Sequence, residues 1–344
     1  MRKTRKKSTE IRTFILENIA NQPRDITLLT SEQFDITRPA VLRHVQKLID
    51  EGAIVAHGKT RDRHYELKLF VDEAFSFSLS TDVEEDKVWR HLVRPLLRGI
   101  PGNVMSICEY GMSEMINNVI DHSEGAEAEI HVEQSAARVT FLVADDGIGI
   151  FKKIQRDLHL GEPRQAILEL SKGKLTTDPS RHTGEGIFFA SRMFDSFVVL
   201  SEGLFFSPMD TDISRLPDSG SEEGGTTVSM GISTLSNRTI QEVFDLYTSD
   251  DFEYSFSKTD IPVALAAFGD ENLVSRSQAR RLLARFHEFK EVSLDFSDVD
   301  TIGQAFSDEI FRVFSRNNPS IEISAINTNE QIERMIRRVK SRSQ

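Results

Sequence analysis

A single cysteine, Cys108, is present among the 344 residues of this sequence. One thiol can form neither an intrachain disulfide nor a cysteine-based metal cluster, so the fold cannot depend on either. No apolar run approaches the roughly 18–20 residues that a membrane helix requires. The basic N-terminus is not followed by the apolar stretch of a secretory signal. These absences lead us to expect a cytoplasmic protein with no membrane partner.

Proline and glycine are also scarce, with 10 and 19 residues respectively, which excludes a collagen-like or mucin-like chain. Apolar residues make up 39% of the sequence and charged residues 28%, the balance of a globular protein rather than a disordered one. A single domain usually holds about 100–150 residues. The length therefore predicts two or three domains.

The net charge is −12, but it is unevenly distributed. Residues 1–70 hold 14 Lys and Arg against 9 Asp and Glu, whereas the remaining 274 residues hold 28 against 45. The first segment is therefore basic and the rest is acidic. This asymmetry favours binding of a polyanion by residues 1–70 alone, although a solvated charged arm would show the same balance.

The basic N-terminal segment is predicted to contain three short helical segments and a hairpin. The first helix is predicted from Ser8 or Thr9 to about Ala20, and a short apolar segment follows at 26–34. The next helix carries Pro39 in its first turn, where proline is tolerated. Two short strands then enclose a basic turn.

This succession of helices and a basic hairpin resembles a winged helix-turn-helix. The resemblance implies that the second helix of the motif enters the major groove of double-stranded DNA and that the hairpin contacts the backbone or minor groove. Basic side chains at these places can meet phosphates or guanine edges. The predicted DNA-binding residues are Arg38, Arg43, Lys47, Lys59, Arg61 and Arg63.

Glu114 and Asn118 lie four residues apart in a segment with helical apolar spacing, so both project from one helix face. An amide oxygen can ligate Mg²⁺, and a carboxylate beside it can polarise an attacking water or hydroxyl. The pair suits a Mg-nucleotide. The same spacing is also common on solvated helix faces.

Three further motifs follow in the next hundred or so residues. Asp145 ends a predicted strand and is followed by Gly147 and Gly149, a pattern that combines an acceptor for an exocyclic amine with close backbone approach. Gly184 and Gly186 open an apolar helix, whose first N–H groups can bind phosphate oxygens. The last motif is a pair of glycines entering a strand at Thr226.

The order of these four motifs resembles the GHKL superfamily, which includes gyrase B, MutL, the histidine kinases and the anti-sigma-factor serine kinases. The resemblance implies an α/β sandwich that binds ATP and Mg²⁺ between a helical layer and a mobile lid. By position, Glu114 corresponds to the general base and Asn118 to the Mg²⁺ ligand. Asp145 and Thr226 correspond to the adenine-binding pair. The matching glycines beside the nucleotide are Gly147, Gly149, Gly184 and Gly186.

The stretch from Phe151 to His182 corresponds to the lid of that superfamily. The resemblance makes its basic side chains candidates for contacting the phosphates, namely Lys172, Lys174, Arg181 and His182. The second glycine motif departs from the kinase pattern because it is short and has Glu185 between its glycines.

Strands and helices alternate over the last third of the chain, which predicts a small sheet covered by helices. The strand 292–296 and the loop after it are similar to STAS domains, the anti-sigma-factor-antagonist fold, over roughly residues 253–342. In those antagonists a partner kinase phosphorylates a serine in this loop, but Gln304 stands at that position here. Ser307 lies near the start of a helix, where a phosphate would be favoured, or it is an ordinary first-turn serine. We predict a protein-contact or signal-receiving module.

The sequence therefore predicts a multidomain α/β protein with four parts. These are a winged helix-turn-helix at 1–70, a connecting strand and helix at 71–102, a GHKL ATP-binding domain at 103–235 and a STAS-like domain at 250–344.

The leading functional hypothesis is a slowly hydrolysing ATP-binding regulator in which nucleotide state controls DNA or partner binding. A homodimer would suit a palindromic operator. The alternative is an anti-sigma-type serine kinase acting on a STAS-like or other partner. A histidine kinase is disfavoured because His91 is not followed by an acid and Pro95 comes one position early for a phosphoacceptor motif. A mechanical clamp of the gyrase type is also disfavoured, because the transducer domain that normally follows the ATPase core in such proteins is not found in this sequence.

Overall fold

The computed structural model describes residues 2–79, 83–175, 184–208, 224–248, 256–267 and 271–341. Over these ranges the chain is a multidomain α/β protein with sheets of two, six and three strands. No helix within the described ranges is both long and apolar enough to cross a membrane.

The first unit, which we call the head, packs three helices against a two-stranded antiparallel sheet. Its first helix begins before Ser8 and Thr9, so neither residue is the cap that the pattern suggested. Pro39 lies in the first turn of the third helix, as expected. The head has its own apolar core, centred on Ile15 and Val41. Its elements are α1 (Arg2–Asn18), α2 (Ile26–Phe34), α3 (Arg38–Asp50), β1 (Ile54–His57) and β2 (His64–Leu67).

The body contains a six-stranded sheet in the order β3-β4-β5-β8-β6-β7. The strand expected to connect the head to the rest of the chain pairs with β4 and forms one edge of this sheet. The hairpin of β6 and β7 was not anticipated from the sequence. The strands are β3 (Leu69–Ser78), β4 (Glu127–Ser135), β5 (Arg138–Asp145), β6 (Ser196–Ser201), β7 (Leu204–Phe206) and β8 (Thr226–Ser233).

Helices cover this sheet, and the longest of them buries Ile107, Met112 and Ile116 in the core. The helix expected in the connecting segment is present but irregular, because one α-helical turn is followed by a π-helical and then a 3₁₀ segment. Pro95 has no amide hydrogen with which to continue an α-helix there. The helices are α4 (Glu85–Val88), α5 (Gly102–His122), α6 (Ile150–Asp157), α7 (Pro163–Lys172), α8 (Gly186–Met193) and α9 (Ile240–Tyr247).

The C-terminal unit has a three-stranded parallel sheet in the order β11-β10-β9. The alternation of strands and helices expected here is present. Its first strand ends at Pro262, which cannot donate a ladder hydrogen bond. The helix that follows ends at Leu283, and Arg285 then adopts a left-handed conformation. The elements are β9 (Lys258–Pro262), α10 (Arg276–Leu283), β10 (Glu291–Asp295), α11 (Gln304–Asp308), α12 (Ser315–Asn317), β11 (Glu322–Ile326) and α13 (Glu330–Lys340).

Both ends of the chain pack against the body. The head core extends onto Ala136 and Ala137 in the turn between β4 and β5, and onto Leu235 just after β8. On the other side, the C-terminal unit shares one continuous apolar core with the body. At this junction the rings of Phe188 and Phe256 lie 4.4 Å apart.

Candidate functional site

A cavity of about 350 Å³ opens in the body and is lined by residues of α5, α6, α7, α8, β5 and β8. It brings together seven of the eight residues that the four sequence motifs supplied. The eighth, Gly147, is not a lining residue, but its N–H donates to Asp145 Oδ1 at 2.9 Å. The seven are Glu114, Asn118, Asp145, Gly149, Gly184, Gly186 and Thr226.

Helix α5 contributes one face to this cavity, because Glu114, Asn118 and His122 lie four residues apart and all line it. The Nδ2 atom of Asn118 is buried and has no hydrogen-bond partner among the described residues. Buried polar groups almost always have a partner, so an orphaned one at a cavity wall indicates a place for a ligand. Tyr110 lies one turn before Glu114 on the same helix. Burial, and then the charge of Glu114, raise the pKa of its hydroxyl.

Asp145 ends the central strand β5 and pairs directly with Thr226 at the start of β8. Burial raises the pKa of the Asp145 carboxyl, and hydrogen bonds from the N–H groups of Gly147 and Thr226 partly oppose that shift. The Thr226 hydroxyl accepts a hydrogen bond from the Ile150 N–H at 2.9 Å, which fixes the start of α6 beside the pair. An oriented carboxylate and hydroxyl thus stand together at one end of the cavity.

Two of the glycines are required by close approach. A Cβ on Gly186 would lie 2.0 Å from Glu114 Oε2, so the N-terminus of α8 lies against that carboxylate. A Cβ on Gly147 would lie 2.0 Å from the backbone oxygen of Ser123, where α5 ends. Any side chain at these positions would displace either an acidic group of the site or the backbone that supports it.

Several polar residues that line the same cavity were not predicted from the sequence. His122 ends α5 and Ser123 follows it, and extension of the four-residue spacing by one turn would have identified His122. Lys153 of α6 lines the cavity and forms an ion pair with Glu124 at 3.2 Å. Its position depends on how α6 is placed relative to the end of α5, where Glu124 follows, and the local sequence does not specify this.

The lysines proposed to contact phosphates are placed elsewhere, and that part of the lid prediction is wrong. Lys172 is fully buried and its ammonium lies 2.7 Å from Glu169. Lys174 donates to the backbone oxygen of Glu288 at 2.8 Å. Neither lines the cavity, because the C-terminal unit provides their partners. Arg181 and His182 lie outside the described residues.

The six basic residues predicted to bind DNA are all exposed on the head. Arg38, Arg43 and Lys47 lie on α3. The pKa of the nearby His44 is lowered by its burial and then by the charges of Arg12, Arg43 and Lys47, which indicates a positive potential along this helix. The other three basic residues, Lys59, Arg61 and Arg63, lie between β1 and β2.

Ser307 does not present its hydroxyl to solvent. Its side chain is fully buried in α11, and Oγ donates to the Gly303 carbonyl at 3.0 Å. The interpretation as a first-turn serine therefore describes its surroundings better than an exposed phosphate acceptor does. Gln304, at the acceptor position of the STAS resemblance, begins the same helix.

Comparison with known proteins identifies the C-terminal unit only. A family model described as a STAS-like domain of unknown function (DUF4325) matches residues 278–333. This range covers most of α10, then β10, α11, α12 and β11, and the start of α13, and the chain contains a STAS-like domain there. No curated protein matches the chain.

Proposed function

We propose that this protein is an ATP-binding regulator whose nucleotide site is the cavity of the body and whose head binds DNA as a winged helix-turn-helix. The observation that carries the proposal is the convergence of four sequence motifs on one cavity. Glu114, Asn118, Asp145 and Thr226 are spread over more than a hundred residues of sequence and line it together.

The groups around the cavity match the parts of a nucleotide. Asp145 is an oriented acceptor for an exocyclic amine such as that of adenine, with Thr226 beside it. The first N–H groups of α8, at Gly186, suit phosphate oxygens. The Nδ2 donor of Asn118, which lacks a partner among the described residues, suits a phosphate oxygen, and the oxygen of the same amide would be the metal ligand.

Glu114 has the position of a general base. Its carboxylate lies against the N-terminus of α8, where proposed phosphate contacts would be made. There it would take a proton from an attacking water, a contribution of about 10²–10⁴ in rate. Bound ATP and Mg²⁺ would supply the phosphoanhydride bond and the divalent charge. We propose slow hydrolysis that resets the nucleotide state.

The DNA-binding part of the proposal rests on the exposed basic surface of the head. Arg38, Arg43 and Lys47 of α3 are available to a major groove, and the basic hairpin is available to phosphates. Two copies of the chain would read a palindromic operator. The STAS-like domain would contribute the contact with a protein partner.

The serine-kinase alternative has less support at its expected acceptor. Ser307 is buried, and Gln304 replaces the serine of the STAS resemblance. Transfer to another partner protein stays a prediction, which incubation with γ-labelled ATP and mass spectrometry of the products would test.

Titration of ATP–Mg²⁺ by calorimetry, with wild type and the Asp145→Asn variant, tests the nucleotide site. We expect wild type to bind and the variant to bind at least about tenfold more weakly, because a hydrogen bond to a charged group contributes about 1.5–3 kcal/mol. Asp146→Asn is the matched control, since Asp146 Oδ1 accepts from Ala126 and Glu127, and an amide oxygen can do the same. Equal affinity of all three proteins would contradict the proposal.

A further inference from the structure

One wall of the cavity is built by a segment that is fastened to the STAS-like domain. We call residues 163–175, which comprise α7 and the turn after it, the wall segment. Leu170 and Leu175 of this segment line the cavity. The residues between them turn away and enter the C-terminal unit, so the cavity and that unit share one stretch of backbone.

Lys172 of the wall segment satisfies the C-terminal end of α10. Its ammonium donates to the carbonyl of Arg281 at 3.2 Å and to that of Ala284 at 2.9 Å. The last carbonyls of a helix lack intrahelical donors and carry the negative end of the helix dipole. Burial lowers the pKa of Lys172, and the adjacent Glu169 carboxylate opposes that shift. The lysine is thus held by partners on both units.

Arg285, directly after α10, makes the reverse contact. Its guanidinium donates to the carbonyl of Gly173 at 2.9 Å and to that of Lys174 at 2.6 Å, at the C-terminal end of α7. It also forms an ion pair with Glu169 at 3.3 Å and with Glu288 at 2.8 Å. Each of the two helices is therefore capped at its C-terminus by a cation from the other unit.

The backbone at Arg285 is unusual for the residue that occupies it. Its φ is +64°, in the left-handed region where glycine costs least. An arginine there carries a backbone cost that its side-chain contacts must offset. Additional contacts support the same junction: Thr259 Oγ1 donates to the Lys172 carbonyl at 2.8 Å, and the Phe188 ring, which lines the cavity, packs on Phe256.

We infer that Arg285 is a positioning residue of the cavity and that the reciprocal caps make the STAS-like domain respond to the occupant of the site. The inference that the occupant is a nucleotide rests on the proposed function. The physical reason is that the wall segment cannot shift at Leu170 and Leu175 without breaking the contacts of Lys172 and Arg285 that join it to the C-terminal unit. By reciprocity of coupled equilibria, whatever binds the cavity and orders this wall also orders the segment 281–288, and a partner of that domain alters the affinity of the cavity.

Hydrogen–deuterium exchange of the full-length protein without nucleotide tests the caps themselves. Arg285→Ala is expected to speed exchange in residues 163–175 roughly tenfold, since it removes charge-assisted hydrogen bonds to that segment. Arg285→Lys, which keeps the charge but has fewer donors, is expected to be intermediate and serves if the alanine variant does not fold. Arg280→Ala is the control, because Arg280 is exposed and pairs with Glu309 inside its own unit. Unchanged exchange in 163–175 in the Arg285 variants would overturn the inference.

The same measurement with ATP–Mg²⁺ separates this inference from the proposed function. In wild type we expect protection of 184–193, of 163–175 and also of 281–288. In Arg285→Ala the protection of 281–288 is expected to disappear and the ATP affinity to fall about threefold to tenfold. Protection of 184–193 without any change at 281–288 in wild type would overturn the coupling and leave the nucleotide site intact. No protection of any cavity segment in wild type would overturn the proposed nucleotide site, while the comparison without nucleotide would still decide whether the caps hold the wall.

Discussion

Asp145 is held where its charge is unfavourable. Burial raises the pKa of its carboxyl, and the hydrogen bonds that it accepts from two backbone N–H groups only partly oppose this shift. Carboxylates with pKa values perturbed in this way cluster at functional sites. Asp146, by contrast, uses its carboxylate to hold two N–H groups at the start of β4, and those bonds lower its pKa. Neighbouring acids thus have separate functions.

This difference predicts how stability depends on pH. Because the folded-state pKa of Asp145 is raised, its protonation favours the folded state, and that contribution is lost as the pH rises through the folded pKa. Asp145→Asn should therefore melt about 1–3 °C above wild type at pH 7–8 in the absence of nucleotide. The gain should shrink as the pH is lowered from 8 through the raised folded-state pKa, because the wild-type carboxyl then becomes protonated as well. Thermal unfolding across this pH range measures the effect, and a lower melting temperature for the variant at pH 7 would contradict it.

Local sequence predicted the place of some individual cavity residues and misassigned other residues. The spacing of Glu114 and Asn118 and the strand-end position of Asp145 were sufficient to select residues that now share a cavity. Lys172 was misassigned, because its partners Arg281 and Ala284 are more than a hundred residues away. A basic residue in a lid-like segment has the same local pattern whether it faces a ligand or a second domain.

The contact between α5 and α8 shapes the end of the cavity at Glu114, the proposed general base. Gly186 begins α8, and the helix approaches Glu114 so closely there that an added Cβ would lie 2.0 Å from its Oε2 atom. Local pattern predicted both helices, since each has a clear apolar face. Their contact depends on packing across the sheet and was not predictable from either segment.

Gly186→Ala should disturb the site without disrupting the fold. The added methyl group would lie 2.0 Å from Glu114 Oε2, the far end of a flexible side chain that can move aside. We expect ATP turnover to fall about 100-fold or more, because a displaced base loses its proton-transfer contribution, while the melting temperature changes little. Gly102→Ala is the control, because it also lies at a helix start but its Cβ meets nothing within 4 Å. Wild-type turnover in Gly186→Ala would show that Glu114 is not placed as a base.

The hairpin of the head supports a prediction about salt dependence. Each phosphate contact that is lost reduces the slope of log affinity against log salt by about 0.9. Replacing Lys59, Arg61 and Arg63 by alanine should reduce that slope by up to about 2.7, measured by fluorescence anisotropy with duplex DNA. Replacing Arg334 and Arg337, which pair with acids along α13, is the control and should leave it unchanged. An unchanged slope in the hairpin variant would show that the hairpin does not contact the DNA.

Across the whole molecule, two central strands join the head to the cavity. Strands β5 and β8 pair from Arg138 and Ser233, near the head, to Asp145 and Thr226, in the cavity. Eight residues of strand span about 24 Å. At the head end, the Thr234 N–H donates to the Ala137 carbonyl at 2.9 Å, beside the apolar contact with the head core. Continuous hydrogen-bonded structure therefore joins the head to the cavity.

The packing of the units against one another is the feature that the sequence alone predicted least well. The alternation of strands and helices predicted the small C-terminal sheet, and the match of the STAS-like family to 278–333 agrees with it. The shared core between that unit and the body could not be foreseen, because it is made by rings such as Phe188 and Phe256 that satisfy the local pattern of either unit. The same holds for the head and the turn at Ala137.

The decisive measurement is DNA affinity of the intact protein without nucleotide, with ATP–Mg²⁺ and with ADP, in wild type, Asp145→Asn and Glu114→Ala. We expect ATP to shift the affinity of wild type, Asp145→Asn to show no shift, and Glu114→Ala to keep it, because binding rather than hydrolysis is the signal. If nucleotide binds wild type but leaves its DNA affinity unchanged, the head and the cavity are not coupled and the protein is not an ATP-controlled DNA-binding regulator.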